Sequence, residues 1–216
     1  MIVPNMSIPE AIAEAKGDLG AVQNKLRGLI ATEQRLHRKD RRAGDRVLQG
    51  TYISPGKNHW LYNITTTKKH CTHNLFTWYH AVDGMFGLQL SHEGYHFLFT
   101  PHFFTRFRER SGEGAVLAID NITRFFFRNP ATTAMRTGRQ HLGFPAFIGA
   151  VPDGYVLGTL HEDDGYHRCR TFIDHEQAFK NQQEDWEGLD AIRQLHLRHP
   201  AMVAQLNMGY RKLGGA

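Results

Sequence analysis

His102, Arg106 and Arg110 recur at four-residue intervals, and together they have the chemistry to handle a phosphodiester. Cleaving RNA needs a base for the 2′-hydroxyl, positive charge for the phosphorane and an acid for the leaving oxygen. An imidazole exchanges protons near neutral pH. A guanidinium keeps its charge and offers forked donors. The bland alternative is a surface helix with a His near its N-cap and Arg toward its C-terminus.

The element that must position them is short and well punctuated. Thr100 reads as an N-cap, Pro101 as the first helical residue and Ser111-Gly112 as the stop. On a helical wheel His102, Thr105, Arg106 and Glu109 share one stripe. Phe103, Phe104 and Phe107 form an adjoining stripe that requires burial, and Arg110 lies on the border.

Around this helix the pattern is that of an α+β protein. Ser7 and Glu10 form a capping box, and helical periodicity runs from about residue 8 to 42. Gly17, Gly20 and Gly28 weaken it, so one helix or two are equally compatible. Strands are expected near 46–53, 59–67, 74–82, 85–90 and 95–99, with a second helix over 119–127. Residues 131–143 read as an exposed loop. Runs at 144–150, 155–161 and 166–173 predict a three-stranded meander. Asp174 with Gln177 predicts a further helix start, and residues 188–213 a helical tail broken at Pro200. The expected layout is an N-terminal helical arm (1–44), a core with an antiparallel sheet and two inserted helices (45–187), and a helical tail (188–216).

The spacing around the helix, the Ile119-Asp-x-Ile122 start, the Gly154-Tyr-Val-Leu-Gly hairpin and Arg170-Thr-Phe-Ile173 resemble small RNase-toxin domains. These are the RelE, barnase, EndoU and colicin-nuclease group, with an uncharacterised family that carries a His-x-x-x-Arg-x-x-x-Arg helix. The resemblance covers about residues 100–175. It implies metal-independent RNA cleavage, with His102 as acid or base and Arg106 and Arg110 as phosphate clamps. Thr171 would be a hydroxyl contact. His167, expected on the same strand face as Thr171, would be a second proton carrier. It also implies a neutralising protein partner. Two departures leave room for an inactive RNA-binding relative: the long β segment before the helix, and a chain about twice a toxin's length.

Net charge is +5 and the pI about 9.3, with Arg the main cation. Arg35, Arg38, Lys39, Arg41 and Arg42, with Arg108, make a basic set able to follow a nucleic-acid backbone. The second reading is therefore a non-enzymatic nucleic-acid-binding or assembly protein of a mobile element. A third is zinc binding. Cys71 and His73 alternate on one strand and His167 and Cys169 on another, and neighbouring strands would offer a Cys₂His₂ set. No cofactor is required by the nuclease reading. Phe76, Trp78 and Val82 alternate as a core face. Two cysteines make no disulfide framework. No run approaches a membrane span and none reads as a leader, so the expected setting is the cytoplasm, with no membrane partner.

Overall fold

The computed structural model describes residues 1–40, 44–68, 70–90, 96–112, 114, 117–178 and 180–198. Within them the first half runs α1 (Ile8–Lys39), β1 (Arg46–Ile53), β2 (His59–Thr66), β3 (Cys71–Ala81), β4 (Gly84–Gln89) and β5 (His96–Phe99). Then come α2 (Pro101–Arg110), α3 (Ala118–Arg128), β6 (Thr133–His141), β7 (Phe144–Val151), β8 (Gly154–His161), β9 (Tyr166–Asp174) and α4 (Lys180–Arg198). This is an α+β fold. Among the described residues, nine strands form one sheet in the order β1-β2-β3-β4-β5-β9-β8-β7-β6. Neighbours are antiparallel except β5 and β9, which run parallel. Two antiparallel meanders thus meet at one parallel junction, and α2 and α3 make the crossover between them.

Side-chain alternation assigns the faces. Phe97 and Phe99 of β5 pack with Phe103, Phe107 and Phe125 of α2 and α3. Leu98, between them, packs with Ile12, Val22 and Leu26 of α1. The cross-strand row Leu98–Arg168–Thr159–Ala146 continues that second face onto β7. There Ile148 and Ala150 meet Leu189 of α4. So α1 and α4 cover one face at its two ends, and α2 and α3 cover the other.

α1 is a single unbroken helix, closed at its start by the Ser7–Glu10 capping box. A Cβ added at Gly17, Gly20 or Gly28 would meet nothing within 4 Å, so these glycines cost helix propensity alone, ~1 kcal/mol each. Burial of Ala11, Ile12, Ala15, Val22 and Leu26 offsets that cost. The helical arm is thereby part of the core.

Three sequence expectations change here. Residues 131–143 are not a loop: they contain β6, which extends the expected three-stranded meander to four strands. As an edge strand it faces solvent on both sides over most of its length, so it lacks the alternation that marks a half-buried strand. Val82 does not continue the inward row. It stands 85% exposed in the β3–β4 turn. Asp174 does accept from the Gln177 amide, yet α4 begins only at Lys180. Pro200 and the rest of the predicted tail lie outside the described residues. Among those residues no helix is long and apolar enough to cross a membrane.

Candidate functional site

The α2 helix forms as its sequence demands. Thr100 Oγ1 accepts from the Phe103 amide at 3.3 Å and donates to the Cys169 carbonyl at 3.1 Å. The same cap therefore starts the helix and ties it to β9. His102 stands exposed on the outer stripe beside Arg106. Arg106 Nη1 is held by Glu109 Oε2 at 2.8 Å. Arg110 is half-buried, and its Nη1 has no hydrogen-bond partner.

Of the remaining members of the expected cluster, Thr171 does not join them. Thr171 pairs with Leu157, which packs against the α4 cluster, so Thr171 points away from α2 across the sheet. Strict alternation from His167 would have put it on α2's side. The register slips at Leu157/Gly158, where Gly158 faces Cys169 and Leu157 faces Thr171. Arg170 is the extra residue, a bulge that resets the alternation. A Cβ on Gly158 would sit 2.0 Å from the Arg168 carbonyl, so this close approach requires glycine. His167 stays on the α2/α3 face, stacked on Phe97 at 4.7 Å and edge-on to Phe147 at 5.0 Å.

The zinc set does not assemble either. β4 and β5 separate β3 from β9, a gap of ~14 Å. Cys71 also packs on the α1 side, while Cys169 lies in the α2/α3 core. Among the described residues no cluster of three metal-ligating side chains occurs. Arg35, Arg38 and Lys39 are exposed on the last turns of α1. Arg41 and Arg42 lie outside the described residues. Arg108 borders a cavity between α2 and α3.

The open middle of the α1/α4 face gathers a different group. Phe144, His161 and Tyr166 stack across β7, β8 and β9, at 4.2 Å and 4.6 Å between ring centroids. Phe144 is 43% exposed and Tyr166 is buried, so the stack runs from solvent into the sheet. Thr159 Oγ1 meets His161 Nε2 at 3.3 Å. Arg168 and Arg170 flank this stack, and neither forms an ion pair among the described residues. Arg168 Nε is buried without a hydrogen-bond partner.

The ionisable neighbours record that local charge. Burial, then Arg168, lowers the His161 pKa, with Arg170 adding to the effect and Asp164 opposing it. Burial pushes Tyr79 up to about 12, helped by Tyr166 and opposed by Arg168. Tyr166 is raised in the same way, again against Arg168. The site is thus two guanidiniums among phenols and a neutral imidazole, with Asp164 the carboxylate nearest His161 in charge effect. An anion with a flat, stackable body fits that chemistry. Sequence reading missed this group, though its signal was present. Tyr166-His-Arg-Cys-Arg170 alternates an aromatic and two cations on a strand.

His96 and His167 sit at the β5/β9 junction, on opposite faces of the sheet. Burial lowers both to about 4. Lys16 adds to the shift at His96, and the His96 backbone opposes it at His167. The folded state binds their protons less well than the unfolded chain does. Their contribution is therefore complete above about pH 6.5 and lost as pH falls toward about 4. Urea midpoints at pH 7, 5.5 and 4 should fall in that order, and His167→Gln should flatten the trend.

Comparison with known protein families, curated proteins and solved structures returns no match. The fold and site define an α+β protein with a cationic, aromatic strip between two helices on one sheet face.

Proposed function

We propose that the protein binds single-stranded nucleic acid, RNA foremost, across the open α1/α4 face of its sheet. The observation that carries this reading is the pairing of Arg168 and Arg170, which form no ion pair among the described residues, with the Phe144–His161–Tyr166 stack. Guanidiniums take phosphates, and an exposed ring takes an unpaired base. The basic last turns of α1 and the net charge of +5 favour the same polyanion.

The test is binding of labelled single-stranded RNA between about 50 and 200 mM salt. Arg168→Gln with Arg170→Gln should flatten the log–log salt slope by about 1.4, the value for two lost phosphate contacts on a single strand. Phe144→Ala should weaken binding about tenfold at every salt concentration. An unchanged slope in the double variant would sink the proposal.

Metal-independent cleavage of the bound strand is the second reading. It is favoured by the exposed His102 one turn from Arg106. It requires RNA degradation in the presence of chelator that disappears in a folded His102→Ala variant. Equal degradation by that variant removes it.

A further inference from the structure

A cavity of about 240 Å³ opens on the face opposite the strip, between the β3–β4 hairpin, α2 and α3. Its wall is apolar: Met85, Pro101, Phe104 and Ile122. A Cβ on Gly84 would meet the Pro101 ring at 3.2 Å, so the hairpin closes tightly on the start of α2. Three polar side chains interrupt the wall: Thr105, whose hydroxyl donates to the Pro101 carbonyl at 3.2 Å, Arg108 and Asn121. The Arg108 guanidinium forms no ion pair or hydrogen bond among the described residues. Asn121 is buried, and its Nδ2 donates to the Phe104 carbonyl at 2.7 Å. That leaves its Oδ1 as the acceptor a ligand can use. Asp83 and Asp120 flank the cavity in sequence, and neither neutralises Arg108.

From this geometry we infer that the cavity binds a small carboxylic acid with an apolar body. One positive charge without a partner among the described residues calls for one negative charge. The apolar wall requires the rest of the molecule to shed water, and a polyphosphate would leave charge uncompensated. The volume lies below that of a drug-sized site, so the body is about one ring or one branched chain. Asn121 Oδ1 adds selectivity for an acid carrying a nearby N–H or hydroxyl. Such a ligand is either a free acid or a chain terminus, which share a carboxylate and an apolar group.

Methyl-resolved NMR of the full chain provides the test, with benzoate for the free acid, N-acetylleucine for the chain terminus and benzamide as the neutral control. Saturable shifts at Met85, Ala118 and Ile122 with either acid, and none with benzamide, are expected. Preference for N-acetylleucine assigns the chain terminus, and preference for benzoate assigns the free acid. Arg108→Gln should weaken binding about tenfold with the remaining spectrum intact. Ala118→Trp, which narrows the mouth from α3, should block both acids while Arg108 remains. No saturable shift, equal response to benzamide, or wild-type affinity in a folded Arg108→Gln variant would overturn the inference.

Discussion

Phe125→Ala should lower the unfolding free energy by about 4 kcal/mol. The Phe125 ring is fully buried at the centre of the α2/α3 face. Its centroid lies 5.1 Å from Phe99, 5.0 Å from Phe103, 5.9 Å from Phe104 and 5.1 Å from Phe107. The last three contacts are edge-to-face, the arrangement that the ring quadrupole favours. Truncation removes the transfer energy of the ring and leaves a cavity that four large neighbours cannot all move to fill. For a chain of this size the same loss corresponds to a Tm drop of roughly 10 °C. Urea unfolding gives the number directly. A loss below about 1 kcal/mol would mean that α3 does not pack as described. Because the ring sits across the sheet from Arg168, the salt slope of RNA binding should survive below the lowered Tm. Stability and binding are separable in this way only if the strip is on the opposite face.

That separation was only partly legible in the sequence. The α2 helix could be read to the residue, since Thr100, Pro101 and Ser111 act on their own turn. β1 was located to the residue and β2 nearly so, since turn residues bound them. The parallel β5/β9 pair could not be seen, because it joins segments far apart in the chain. β6 was missed because a polar edge strand and a polar loop have the same composition. The convergence expected of Thr171 was lost for a sharper reason. Periodicity correctly put His102, Arg106 and Glu109 on one stripe, and His167 with Cys169 on one strand face. One inserted residue in β9 then turned Thr171 to the other side. No count of residues reveals a bulge. The only local hint was Gly158, whose missing side chain admits the Arg168 carbonyl.

Asp18→Ala should cost about 3 kcal/mol, because it leaves several buried donors without an acceptor at once. Asp18 sits on the buried stripe of α1 and reaches the β1–β2 turn. Its Oδ2 accepts from the Ser54 hydroxyl, from Asn58 Nδ2 at 2.9 Å and from Trp60 Nε1 at 3.0 Å. Asn58 Oδ1 in turn accepts from the Ile2 amide at 2.8 Å. One carboxylate therefore fastens the helix, the turn and the chain start together. Burial alone would raise its pKa, yet the donors of Ser54, Trp60, Asn58 and the Gly56 backbone together hold it below the ordinary carboxylate value. The sign follows: this contribution is complete above the unfolded carboxylate pKa and is lost as pH falls through the lower folded value. The loss in Asp18→Ala should accordingly be largest near neutral pH and shrink in acid below the window in which His96 and His167 act. Asp18→Asn keeps one acceptor but turns an N–H₂ toward the same donors, so it should recover only about half of the loss. Unfolding of the three proteins across pH checks both statements. A full recovery by Asp18→Asn would show that shape, not charge-assisted acceptance, joins α1 to the sheet.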